Sequence, residues 1–173
     1  MKENQDLERL NSLAGNDAAA EVLKCCGSNN WARLMVAERP FTGVDQMIET
    51  ADRIWWSLGQ QDWLEAFHSH PKIGEKKPAQ QVSEQSRAWS GHEQSGIENS
   101  ARDTIEALAE LNRAYEERFG FIFIVCATGK TSDEMLAILR ARLENPADVE
   151  LRIAADEQAK ITELRLRKLI DNP

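Results

Sequence analysis

FGFIFIVCATGKT, residues 119–131, is the stretch whose reading decides the fold. Phe121, Ile122, Phe123, Ile124 and Val125 form an unbroken apolar run with β-branched members, bounded by Gly120 and Gly129. Such a run fits a buried strand and equally the inner wall of a helical domain, because periodicity alone does not separate the two. Its surroundings do. A lone strand has nothing to pair with, and its backbone N–H and C=O groups need partners. The run therefore reads as a buried extended or irregular segment, near residues 120–126, inside an all-α domain.

Working outward, helix signals dominate. Thr131 or Ser132 is placed to cap a helix through DEMLAILRARLEN, with Asp133 and Glu134 in its first turn, where carboxylates meet the positive end of the dipole. Pro146 breaks the chain, and DVELRIAADEQAKITELRLRKLI follows as an amphipathic final helix with i,i+4 charge neighbours. Upstream, a long helix from about Ile97 to Phe119 carries Ile105, Leu108, Leu111, Ala114 and Tyr115. Before it, AQQVSEQSRAWSGHEQSG reads as a polar stretch. Nearer the N-terminus, Leu7, Leu10 and Leu13 mark a short helix ending near Gly15. DAAAEVLKCC forms a second, with Asp17 as N-cap and Gly27 as stop, and NNWARLMVAERP holds a third that closes near Pro40. Two more hinge near Gly59. In the first of them Met47, Ile48, Ala51, Ile54, Trp55 and Leu58 share a face. Trp55, Trp56 and Trp63 read as packing residues.

The 173 residues suit one domain spanning 1–173, with 42% hydrophobic and 29% charged residues, an ordinary globular balance. A net charge of −8 argues against nucleic acid or an anionic membrane as the main partner. No window is long enough to span a bilayer, and MKENQDLERL lacks the apolar core of a signal peptide. Cys25, Cys26 and Cys126 read as buried reduced thiols, so a cytoplasmic location is expected.

Three places hold residues suited to chemistry. In FHSHPKIGEKK, residues 67–77, His70 precedes Pro71, which stiffens the step and pushes His70 toward extended backbone. A histidine is the default general acid or base near neutral pH, and Lys72, Lys76 and Lys77 are available to attract an anion. A plain surface loop is the competing reading. In SGHEQSG, Ser90 and Glu93 stand in the S-x-x-E relation of a capping box opening the long helix, with Glu93 and Gln94 able to present a carboxylate and an amide to a ureide or cyclic amide. Glu84 and Gln85 repeat the pair. In ELRLRKLI, Arg165 and Arg167 offer a guanidinium fork for a carboxylate, against the alternative of a solvated helix face. His68, His70, His92 and Glu93 also suggest a metal site, but H-x-H followed by proline is a weak ligand signal and no metal is expected.

In order along the chain, HPKIGEKK, SGHEQSG, LNRAYEERFGFIFIVCATGKT, EMLAILRARLENPADVELR and ITELRLRKLI resemble the OHCU (2-oxo-4-hydroxy-4-carboxy-5-ureidoimidazoline) decarboxylases of urate degradation, from roughly Phe41 to Ile170. The resemblance implies an all-helical, often dimeric lyase that needs no cofactor and converts OHCU to (S)-allantoin and carbon dioxide. It implies His70 and Glu93 as catalytic residues. Pro71, Ser90, Gln94, the wall Phe121, Ile122, Phe123, Ile124 and Val125 with its backbone donors and acceptors, and Arg165 are implied as substrate-binding; Arg167 is the weaker match. Lys72 and Glu75 depart from the family pattern, as does a longer polar insert before Glu93. A helical ureide-binding module without catalysis, and a metal-dependent cyclic amidohydrolase, stand as the other readings.

Overall fold

The computed structural model describes residues 2–73, 84–93 and 102–171. Among these residues there are nine helices and no strand, so the all-α expectation holds. The chain divides into two compact units, one of residues 1–66 and 159–173, the other of residues 67–158.

The first unit contains α1 (Lys2–Ser12), α2 (Gly15–Cys26), α3 (Asn29–Ala37), α4 (Val44–Ser57), most of α5 (Gln60–His68) and the end of α9 (Ala147–Ile170). Gly27 stops α2 as expected: at φ 87° it adopts a left-handed turn and donates its N–H to the Leu23 carbonyl at 2.9 Å. Ser28 then caps α3 by accepting from the Trp31 N–H at 3.2 Å. Asp17 is not the N-cap of α2, because the helix starts two residues earlier at Gly15 and Asp17 lies in its first turn. Trp31, Met35, Met47, Ile54 and Trp55 form the apolar centre, and the buried indole of Trp31 donates to the Ala51 carbonyl at 3.1 Å. Trp63 packs against Trp55 and Trp56, so the tryptophans do serve packing.

The second unit holds α6 (Glu84–Glu93), α7 (Arg102–Phe119), α8 (Ser132–Leu143) and the first part of α9. Its centre is aromatic. Tyr115 of α7 meets Phe119, Phe121 and Phe123 at ring-centroid distances of 4.7, 5.8 and 5.4 Å. On α7 the buried residues are Leu108, Asn112 and Tyr115, whereas Ala114 is exposed. The expected start of this helix at Ile97 falls outside the described residues.

Residues 121–127 have no regular structure. Gly120, at φ 79°, lets the chain leave α7, and its N–H closes on the Glu116 carbonyl at 2.8 Å. Thr131 caps α8 in a reciprocal capping box with Glu134, at 3.2 and 2.7 Å.

Candidate active site

His70 lies two residues beyond the end of α5, where its N–H donates to the Phe67 carbonyl at 3.2 Å. Its ring Nε2 lies 2.6 Å from Oε1 of Gln158, a fully buried residue of α9. A side-chain carbonyl oxygen only accepts, so Nε2–H is the donor in this contact. The imidazole is thus tied in orientation to a residue 88 positions away. Pro71 is half-buried beside it. Lys72 is paired with Glu116 of α7 at 2.6 Å, which corrects its expected part as a spare cation; Lys76 and Lys77 lie outside the described residues.

Ser90 and Glu93 do not open the long helix. They belong to α6, which lies within the stretch read as polar: Ser90 is interior and Glu93 is the last described residue of the helix. The capping-box reading fails because Ser86, Trp89, Ser90 and Glu93 recur at helical spacing and form the buried face of α6. Glu93 is therefore a buried carboxylate, and it lies within electrostatic reach of Cys126. Burial pushes the Cys126 thiol above its ordinary range, Lys130 opposes that, and Glu157 and Glu93 reinforce it. Gln94 lies outside the described residues.

In the wall, Phe121, Phe123, Ile124 and Val125 are buried and Ile122 is half-buried, as the apolar run implies. Side chains hold it where a sheet would hold a strand. Arg142 of α8 donates Nη1 to the Ile124 carbonyl, Glu157 of α9 accepts from the Cys126 N–H at 2.6 Å, and Lys130 donates to the Cys126 carbonyl at 2.7 Å. Among the described residues, no hydrogen bond reaches the backbone of Ile122, Phe123 or Val125.

Arg165 belongs to the other unit. It is only 3% exposed, so the solvated-face reading does not hold for it. It lies near Cys25 and Cys26, lowering both thiol pKa values against a larger upward push from burial; the Cys26 thiol is pushed up to about 12 and Cys25 further. Arg167 is only half-buried, with partners Glu163 and Asp45 at 3.1 and 3.5 Å. Burial thus separates the two arginines that the sequence left competing. His68 and His92 are exposed, and no group of three His, Cys, Asp or Glu among the described residues is arranged to hold a metal ion.

Sequence reasoning missed Gln158, Glu157, Lys130 and Arg142. One signal was available. Gln158 continues the buried stripe of Ala154 and Ala155, and a polar residue on such a stripe must find a partner.

Residues 11–167 match the family model described as OHCU decarboxylase, which starts well before Phe41. The chain is 42% identical over 149 residues to the uric acid degradation bifunctional protein TTL of Arabidopsis thaliana, covering 86% of this chain and 46% of that protein's length. It is 28% identical over 163 residues to the 2-oxo-4-hydroxy-4-carboxy-5-ureidoimidazoline decarboxylase of Haloferax volcanii, covering 94% and 92% of the two chains. A crystal structure of OHCU decarboxylase in the presence of (S)-allantoin superposes with a TM-score of 0.73 at 41% identity, over 86% of this chain and 95% of that one. The chain belongs to the OHCU decarboxylase family.

Proposed function

We propose that this protein is a carboxy-lyase that decarboxylates OHCU to (S)-allantoin in urate catabolism. The observation that carries the reading is membership of the family across residues 11–167. It is supported by the assembly of His70, Ser90, Glu93 and the wall within the single unit of residues 67–158.

The substrate's carboxylate sits on a ring carbon whose departing electron pair can delocalise into the adjacent carbonyl or imine system, so the ring itself serves as electron sink. The protein's task is to hold the carboxylate across the π system, meet the developing enolate-like charge and deliver a proton to one face. His70 orients the reacting end and donates the proton, and the bond to Gln158 limits how. With Nε2–H engaged, delivery comes either from an imidazolium Nδ1–H or by handing over the Nε2 proton. Glu93 fixes the ring, Gln94 the ureide and Pro71 and Ser90 the surrounding contacts, and Arg165 or a wall amide meets the developing negative charge. The wall residues Phe121 to Val125 offer backbone donors and acceptors.

A homodimer, a cytoplasmic location and a single functional domain over residues 1–173 belong to the same proposal. No helix among the described residues is long and apolar enough to cross a membrane.

The test is to generate OHCU in situ from urate with urate oxidase and hydroxyisourate hydrolase and to follow allantoin by circular dichroism. Rapid growth of the (S)-allantoin signal in chelator-treated buffer is expected. A trace matching the uncatalysed, racemic control, from folded protein, overturns the lyase reading and leaves a ureide-binding relative.

A further inference from the structure

Resting on that reading, we propose that Arg142 and Glu157 are positioning residues which together aim the N–H and C=O of Val125 at one amide edge of the bound ureide.

The wall has no ladder to orient its peptide planes. Two planes flank Val125, and each is gripped from one edge by a charged side chain. Arg142 takes the Ile124 carbonyl, and Glu157 takes the Cys126 N–H at 2.6 Å. Both peptides are trans, and in a trans peptide the carbonyl and the N–H lie on opposite edges. Gripping the Ile124 carbonyl therefore turns the Val125 N–H away from Arg142, and gripping the Cys126 N–H turns the Val125 carbonyl away from Glu157. Val125 is 7% exposed, and no described residue hydrogen-bonds to its backbone. A donor and an acceptor from one buried residue, held by neighbours and not engaged by any described residue, complement the N–H and C=O of a ureide or lactam.

The Arg142 grip is itself held. Its Nε donates to Oε1 of the buried Glu150 at 2.6 Å, and Nη2 closes on the same carboxylate. Nη2 also donates to the Tyr115 hydroxyl at 3.3 Å, and Tyr115 donates to Glu150 at 2.5 Å. Asn145 donates to the other Glu150 oxygen at 3.0 Å, and the guanidinium lies 4.7 Å over the Phe123 ring. One arginine thus touches the wall at Phe123 and Ile124 and, through Tyr115, packs on Phe121. A buried ion pair is a weak source of net stability compared with an apolar pair of similar volume. Its specific return here is the orientation of the Ile124 carbonyl.

The experiment compares Glu157→Leu, Glu157→Gln, Arg142→Met and Arg142→Met/Glu150→Gln with the wild-type protein, reading KM and kcat for OHCU and Tm. Because the bonds to Val125 form on substrate binding and persist in the transition state, KM should change more than kcat. Glu157→Leu is expected to raise KM roughly ten-fold or more at near wild-type Tm, as loss of a charge-assisted hydrogen bond implies. Glu157→Gln, which keeps an oxygen acceptor, should restore KM to within a few-fold of wild type. Arg142→Met should lower Tm, and the double variant should recover Tm while KM stays raised. Wild-type KM in Glu157→Leu, or recovery of both Tm and KM in the double variant, overturns the proposal while leaving the lyase reading intact. A folded wild-type protein with no turnover of OHCU overturns both.

Discussion

At the residue scale, the pairing of His70 with Gln158 has the most direct chemical consequence. A histidine in a loop samples several rotamers unless something selects one, and here the 2.6 Å contact to a fully buried amide does so. Gln158→Leu keeps the volume but removes the acceptor, so kcat should fall about ten-fold or more while Tm changes little, since one net hydrogen bond contributes on the order of 1 kcal/mol. His70→Ala should lose far more of kcat with the same near-wild-type Tm. Steady-state rates for the two variants, beside thermal melts, check this. A Gln158→Leu enzyme with full kcat would leave Gln158 as mere packing. His70 was legible in the sequence because a His-Pro step advertises itself locally. Gln158 was not, because its meaning depends on a contact across 88 residues.

At the element scale, the two ends of the wall segment show local chemistry deciding local structure. Gly120 ends α7 in a conformation that L side chains rarely adopt, and Thr131 with Glu134 starts α8 with a reciprocal cap. Thr131→Ala should cost about 1 kcal/mol of stability, read as a lower Tm, with KM unchanged. The Glu134 carboxyl is held below its ordinary range, first by the Thr131 N–H and then by the Thr131 hydroxyl. Its stabilising contribution is therefore present above the unfolded carboxylate pKa and lost as pH falls through the folded value. The Tm difference between wild type and Thr131→Ala should accordingly shrink in acid. Thr131 was readable because a cap involves neighbours three residues apart. Helix α6 was hidden because Ser90 and Glu93 satisfy a capping pattern and a helical face at once, and only burial of Ser86, Trp89, Ser90 and Glu93 together separates the two.

At the scale of the whole molecule, the single-domain proposal predicts one cooperative unfolding transition, coincident by circular dichroism and tryptophan fluorescence. Two resolved transitions would split the molecule along its two units. Alkaline conditions add a signed expectation. Burial raises the Cys26 thiol to about 12 in the fold from an ordinary value of 9.0, so the unfolded chain gives up its proton first. Stability should fall as pH rises from about 9 toward 12, and native protein should leave its buried Cys25 and Cys26 unmodified by thiol reagents near pH 8. The sequence by itself determined the helical class, the place where it is interrupted, and the residue types able to bind and protonate a ureide, because periodicity, glycine and proline act within a few residues. Only the tertiary structure decided that Arg165 rather than Arg167 is buried, that Lys72 is already paired with Glu116, and that Arg142, Glu157 and Gln158 hold the wall and His70. Burial and the pairing of polar groups are set by residues distant in sequence, and a local pattern such as the Gln158 stripe flags at most that a partner is needed, not which one.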